Sequence, residues 1–432
     1  MDTKPTATSA RARCLGCDAS LPEPFLDLGV TPLANSYVRP EKAGEREPAF
    51  PLRVAWCPSC HLVQLTAVVP PEQMFSEYLY FTSFSDSHVE HARRMADSLL
   101  SRFRLNRETR VLEVASNDGY LLQFFQRQGV PVLGVEPARN IAEHALSKGI
   151  PTLNRFFEPA AVPEIRSEFG EAQVIIGNNV FAHVPATNQF LTAVRDCLAP
   201  GGRAVFEFPH LLELLRHSEF DTIYHEHVFY FSLTAVVNLA RRAGLEVFDV
   251  ERHPIHGGSL RVFLQKNPAH AVTPNVPALL DEEEKAGLTG AARYREFREE
   301  VERLRDDLLR LLGSLKASGK RIAAYGAPAK GNTLLNYCGI GADLIDFTVD
   351  RSPHKQGLLL PGSKIPILAP DALPREAPDY VLILPWNIAD EIVSQQAVYA
   401  SRGGRFIVPV PRPRVLESAR DAELMSAGAF QP

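Results

Sequence analysis

The chain has 432 residues with 51 acidic against 46 basic side chains, a formal net charge of −5 that gives no global reason to expect a nucleic-acid partner. Its 45% apolar and 22% charged residues are ordinary for a globular protein, and the length predicts roughly two to four domains. No run approaches the roughly 18 apolar residues a membrane span needs. The polar start Met1-Asp2-Thr3-Lys4 lacks the apolar core of a secretion signal, so a cytoplasmic protein is expected.

Cys14 and Cys17 form one Cys-x-x-Cys pair, Cys57 and Cys60 a second. Two intervening residues turn the backbone so that both sulfurs face one ion, and in a reducing compartment such pairs bind metal rather than form disulfides. Four thiolates leave no open coordination position, so the expected ion is structural zinc. About 39 residues separate the pairs, more than the roughly 15–20 of simple zinc ribbons, and residues 21–53 are read as an insertion of proline-rich loops. Cys197 and Cys338 lie alone inside regular patterns and read as small core residues. An aromatic-rich linker over 75–85, with Tyr78 as a candidate to face a cleft, precedes a helix over 88–103.

The stretch 111–120, Val-Leu-Glu-Val-Ala-Ser-Asn-Asp-Gly-Tyr, is an apolar strand ending in a small polar turn before a helix over 121–128. A second strand over 132–136 ends in Glu136, placed as a ribose-binding carboxylate is in dinucleotide folds. The turn holds one glycine and is not Gly-x-Gly-x-x-Gly, so it suits a cationic sulfonium with an amino-acid tail better than a pyrophosphate. That points to S-adenosylmethionine (SAM), with Glu113, Ala115, Asn117, Gly119, Glu136 and Pro137 as candidate contacts. A third strand over 174–178 leads to Asn178, Asn179 and His183, where a transferred methyl would lie. A helix over 187–198, a strand over 203–208, a helix over 233–243 and a closing hairpin over 245–264 complete a doubly wound α/β unit.

Between the third strand and that hairpin, Tyr224-His225-Glu226-His227 places three proton-handling groups beside a tyrosine, a pattern suited to acid–base chemistry or to a decorated surface strand. Residues 281–315 read as one long helix or two. Residues 320–336 then repeat the strand, Gly-rich turn and helix plan, with Lys330 at a helix start that suits a phosphate. Strands over 344–350, 380–387 and 405–410 follow.

The whole chain resembles the C-methyltransferases that act on nucleotide-linked deoxysugars in antibiotic sugar biosynthesis. The likeness is carried by the two cysteine pairs, Tyr78-Leu-Tyr-Phe-Thr-Ser, Val114-Ala-Ser-Asn-Asp-Gly, Asn178-Asn-Val-Phe-Ala-His-Val, Tyr224-His-Glu-His, His256-Gly-Gly-Ser-Leu-Arg, Tyr325-Gly-Ala-Pro-Ala-Lys-Gly-Asn and Leu382-Ile-Leu-Pro-Trp-Asn. The resemblance implies a small zinc-binding domain over 1–70, a Rossmann-like SAM methyltransferase domain over 71–268, a helical linker over 269–316 and a C-terminal Rossmann-like nucleotide-sugar-binding domain over 317–432. It implies a nucleotide-linked (TDP) 4-keto-deoxysugar methylated beside the ketone at C-3. His227 is implied as general base, with Tyr224, Glu226, His183 and Tyr78 supporting it. Glu226 is expected to hold a histidine in the right tautomer. Tyr325, Lys330, Asn332 and Asn387 are the expected substrate contacts. The competing enzyme class is a nicotinamide-dependent oxidoreductase or epimerase; it is disfavoured because neither turn is Gly-x-Gly-x-x-Gly and no Tyr-x-x-x-Lys pair stands where it would be needed. Composition says nothing of oligomeric state.

Overall fold

Leu26 and Leu28 are buried while Asp27 and Gly29 are exposed, a period of two that makes strand β1 (Leu26–Pro32). Leu52 and Val54 supply the facing apolar surface on β2 (Ala49–Trp56), and the two strands pair antiparallel. The segment read as an insertion of loops is therefore largely a β-hairpin. The computed structural model describes residues 13–75, 82–84, 86–266 and 268–416. Within them, β3 (Val63–Leu65) extends this first sheet.

Helix α1 (Asp86–Phe103) leads into the central sheet. Its strands are β4 (Val111–Val114), β5 (Val132–Val135), β6 (Thr152–Leu153), β7 (Ala172–Asn178) and β8 (Leu198–Pro209), with helix α2 (Thr187–Cys197) before β8. The chain then leaves this sheet for β9 (Phe229–Tyr230), which pairs with β3 of the first sheet, Val63 opposite Tyr230. It returns through α3 (Leu233–Arg242), whose N-terminus is capped by Ser232 Oγ accepting from the Ala235 N–H. Strands β10 (Glu246–His253) and β11 (Ser259–Gln265) complete the sheet in the order β10-β11-β8-β7-β4-β5-β6, with β11 antiparallel to both neighbours.

Of the two sequence readings for 281–315, two helices is the right one: α4 (Asn275–Lys285) and α5 (Ala291–Ala317). Gly287, at φ +81°, stands in the turn that separates them. The buried face of α5 carries Tyr294, Phe297, Val301, Leu304, Leu308 and Leu312 at helical spacing. The last sheet runs β14 (Ile367–Leu368), β13 (Thr348–Val349), β12 (Ile322–Tyr325), β15 (Tyr380–Ile383), β16 (Arg405–Val408), β17 (Arg414–Leu416), parallel except for β17. Helix α6 (Ala329–Cys338) follows β12. The strand anticipated over 344–350 is short because the Leu344 and Ile345 N–H groups turn back onto the Gly341 carbonyl.

Three buried bonds fasten the last unit to the rest of the chain, two of them just before Tyr224 and one in the loop after β1. Trp386 Nε1 donates to Asp221 Oδ2 at 2.7 Å, Thr333 Oγ1 to the Ile223 carbonyl at 3.1 Å, and Asn332 Nδ2 to the Ala34 carbonyl at 2.6 Å. Asp221 is fully buried, and burial raises its carboxyl to about 6 against the attraction of Lys330 and the Trp386 bond. Trp386→Phe removes the donor and leaves that carboxylate short of a partner. Urea unfolding should show a loss of about 1–3 kcal/mol, whereas unchanged stability would mean the bond contributes nothing to the joint.

Candidate active site

Residues 224–227 form a tight turn in which the His227 N–H donates to the Tyr224 carbonyl at 2.9 Å. The turn sets Tyr224 and His227 on one side, their ring centroids 4.0 Å apart and Tyr224 Oη 2.8 Å from His227 Nε2. His227 Nδ1 lies 2.9 Å from the Thr222 carbonyl. A carbonyl only accepts, so Nδ1 carries the proton, Nε2 presents its lone pair, and the Tyr224 hydroxyl donates to it. Thr222 thus does what was expected of Glu226. Glu226, 6% exposed, instead accepts from Asn35 Nδ2 at 2.6 Å.

His183, on the loop after β7, stands edge-on to His227 with centroids 4.9 Å apart. The space behind His227 is walled by Ala182, Leu211, Phe229 and Phe231. Burial in these apolar surroundings, helped by the neighbouring charge of His183, lowers His227 to about 3. Burial likewise lowers His183 to about 4, opposed by its hydrogen bond with the Glu226 backbone. His225 points away from this pair. It is 2% exposed, holds the Phe50 carbonyl through Nε2 at 3.2 Å, and burial lowers it to about 4. Tyr78 lies outside the described residues.

The expected cofactor contacts gather at the carboxyl ends of β4, β5 and β7, the edge where open α/β sheets take ligands. Three non-glycine residues there are left-handed: Ala115 at φ +52°, Asn117 at +49° and Asn179 at +53°. Each such residue stores of order 1 kcal/mol or more, the kind of strain that collects where backbone must meet a ligand. Gly119, at φ +76°, would drive a Cβ to 2.8 Å from Ile150. The Glu136 carboxylate accepts from the Asn117 and Ala138 amides at 3.0 and 2.9 Å, which ties the second strand's acid to the first turn. Burial nonetheless raises it to about 6. The Pro137 carbonyl accepts from Asn154.

Glu113 Oε2, Asp118 Oδ1 and Asn178 Oδ1 are buried without a hydrogen-bond partner among the described residues. Burial, and then the charges of Glu136 and Asp118, push the Glu113 carboxyl well up. Unsatisfied oxygens and crowded acids suit a cationic ligand with an ammonium tail, which is what SAM presents.

In the last unit, Lys330 Nζ hydrogen-bonds Asn387 Oδ1 and sits 4.0 Å from the centre of the Trp386 ring. Burial lowers its pKa against the attraction of Asp221 and Glu219. Lys330 and Asn387 are thus brought together. The Tyr325 hydroxyl ends β12, and burial raises it. Asn332 is 1% exposed; its amide donates to the Ala34 carbonyl, while its Oδ1 has no hydrogen-bond partner among the described residues and lines a small cavity with Tyr224 and His225. The Thr222 carbonyl on His227 and the Asn35 amide on Glu226 are contacts of these residues that sequence reasoning missed.

At the other end of the first sheet, one thiol sulfur from each of Cys14, Cys17, Cys57 and Cys60 lies within 4.8 Å of the others. Sharing a proton with Cys60 lowers Cys14 to about 5, while burial raises Cys57 to about 11, the uneven ionisation of crowded thiols that a cation relieves. Four sulfurs so placed fit a tetrahedral zinc ion. A Cβ on Gly16 would lie 2.7 Å from Leu239 of α3, so this knuckle packs directly on the central unit. Asn238 Nδ2 adds a bond to the Cys60 carbonyl at 3.2 Å.

Three family models match in order along the chain. They are described as "Putative zinc binding domain" over residues 14–75, "Methyltransferase domain" over 88–250 and "C-methyltransferase C-terminal domain" over 254–411. The C-methyltransferase NovU of Streptomyces niveus is 40% identical over 394 residues, which span 91% of this chain and 94% of that protein. Magnesium protoporphyrin IX methyltransferase (ChlM) from Synechocystis PCC 6803 with bound SAH is 12% identical, matching 42% of this chain and 84% of its own at a TM-score of 0.33, a likeness too slight to carry argument. Fold and site together define a SAM-dependent methyltransferase with a zinc-binding N-terminal part. The chain belongs to the C-methyltransferase family of which NovU is a member. Among the described residues, no helix is long and apolar enough to cross a membrane.

Two outcomes follow from this geometry. Cys57→Ser should lower bound zinc measured by atomic absorption and destabilise the first sheet; a metal-free variant of full stability would contradict the zinc assignment. His225 has a folded pKa near 4 against an ordinary 6.5, so it favours folding above 6.5 and opposes it as pH falls toward 4. The stability deficit of His225→Gln at pH 7.5 should therefore shrink by about 2 kcal/mol at pH 5. A deficit constant with pH would rule out the lowered value.

Proposed function

We propose that the enzyme C-methylates the carbon beside the ketone of a nucleotide-linked 4-keto-deoxysugar, at C-3, with His227 as general base. The observation that supports this most is the single orientation of His227: Nδ1–H on the Thr222 carbonyl and Nε2 directed at the Tyr224 hydroxyl. The 40% identity to a C-methyltransferase supports a carbon acceptor. The ketone, the C-3 position, the TDP group, the place in antibiotic sugar biosynthesis, a cytoplasmic location and the division of the chain at 70, 268 and 316 are parts of the same reading.

A proton beside a ketone is too weakly acidic for imidazole to remove unaided, so the site must stabilise the enolate oxygen as charge develops. Tyr224 holds one hydroxyl proton and spends it on His227 in the absence of substrate. When that hydroxyl turns to the ketone oxygen, it provides the oxyanion donor and exposes Nε2 in one movement. Nε2 then takes the proton, the C–H electron pair moves into the enolate, and imidazolium faces an anion in dry surroundings. That attraction offsets the burial that lowers the free histidine to about 3. His183, edge-on to His227, and Tyr78 are proposed as further donors to that oxygen. Glu113, Ala115, Asn117, Gly119, Glu136, Pro137, Asn178 and Asn179 would hold SAM. Bound SAM supplies the methyl group on a sulfonium that needs no metal activation. Tyr325, Lys330 and Asn387 are proposed to meet the nucleotide portion.

His227→Asn should abolish both methyl transfer and SAH-dependent exchange of the α proton into deuterated water, followed by NMR on a panel of nucleotide-linked ketosugars, while calorimetry shows SAM binding intact. Retained exchange would remove His227 as base. Tyr224→Phe should lower kcat by about 10²–10³ through loss of an oxyanion donor; wild-type turnover would deny the hydroxyl that part.

A further inference from the structure

The loop after β1 reaches two distant parts of the molecule within the five residues 34–38. Asn35 Nδ2 donates to Glu226 Oε1 at 2.6 Å. The carbonyl just before it, on Ala34, accepts from the buried Asn332 amide at 2.6 Å. Two residues on, the Tyr37 hydroxyl donates to the Ala327 carbonyl at 2.5 Å, which also accepts from Lys355 Nζ at 2.8 Å. Val38 then exchanges bonds with Leu359 at 3.0 and 2.8 Å. Asn35 is therefore held on both sides by the last unit while its side chain reaches into the catalytic turn.

We propose that Asn35 is a positioning residue for the methyl-transfer reaction, acting through Glu226 to fix the direction of that carboxylate on the turn that carries His227. The inference rests on the reading of the 224–227 turn as the seat of the base. An amide suits this task. It donates to the carboxylate without adding a charge that would compete with the imidazolium formed at His227. The N-terminal unit, joined to the zinc knuckles through the first sheet, thereby contributes a side chain to the chemistry. Among the described residues, the charged and titratable groups around Glu226 include His183 from the loop after β7, hydrogen-bonded to its backbone, and Tyr37 from the N-terminal unit, besides Tyr224, His225 and His227 of its own turn. Asp350 and Lys355 of the last unit stand beyond Tyr37.

The test compares Asn35→Ala and Asn35→Asp in the full-length chain, each alone and with Glu226→Gln. Both single variants should bind SAM and zinc as wild type does. With a ketosugar that wild type methylates, kcat should fall about tenfold or more while KM changes little. Asn35→Asp places two carboxyls in contact to share one proton, so the acid limb of its kcat/KM profile should lie at least about one pH unit above that of Asn35→Ala. Without any substrate, the melting temperature of Asn35→Asp should fall relative to wild type between pH 5.5 and 8 as both carboxyls ionise, and Glu226→Gln should cancel that fall. Wild-type kcat and acid limb in both single variants would overturn the proposal, as would a pH-dependent melting difference that survives Glu226→Gln. A wild-type enzyme that methylates no sugar in the panel sinks the substrate reading instead, and the melting cycle then decides the Asn35–Glu226 contact on its own.

Discussion

The hydrogen bond from His227 Nδ1–H to the Thr222 carbonyl is the constraint on which the site depends. A carboxylate in that place would stabilise imidazolium and raise the pKa. A neutral carbonyl fixes the tautomer and only partly opposes burial, which within the apolar walls lowers the ring to about 3 and holds it unprotonated across the working pH range. The lone pair at Nε2 is thereby available and aimed at the Tyr224 hydroxyl, 2.8 Å away.

Everything around residues 222–227 can be understood as holding that carbonyl and that ring in register. Asp221 is gripped by Trp386 from the last unit, Ile223 by Thr333 of α6, His225 by the Phe50 carbonyl of β2, and Val228 by the Ala182 carbonyl of the central unit. Strand β9 then binds the chain into the first sheet beside the zinc knuckle. Three sheets converge on one turn, so rigidity at the base comes from all of them. This is why the N-terminal unit packs its cysteines in the same apolar cluster as Leu233, Val236 and Leu239 of α3 rather than standing apart.

Much of this was legible in the sequence. The central and last sheets follow from apolar runs alternating with helical patterns, and four cysteines in two pairs announced their own meeting point. The candidates Tyr224, His183 and His227 do come together. What escaped has physical reasons. A backbone carbonyl has no residue identity, so Thr222 left no mark. Asn35 and Glu226 meet across 191 positions of chain, and a lone asparagine in a loop looks like any turn residue. Ala115 adopts a left-handed backbone that alanine does not advertise. The hairpin of β1 and β2 was visible in the alternation of Leu26 and Leu28, and of Leu52 and Val54, but prolines on either side obscured it.

The most direct test of the account is the protonation state of His227 itself, read by nitrogen-15 NMR of the labelled imidazole in the resting enzyme. The geometry predicts a protonated Nδ1 and an unprotonated, hydrogen-bonded Nε2 at pH 7, unchanged on acidification to about pH 4. An Nε2–H tautomer, or an imidazolium titrating near 6.5, would contradict it.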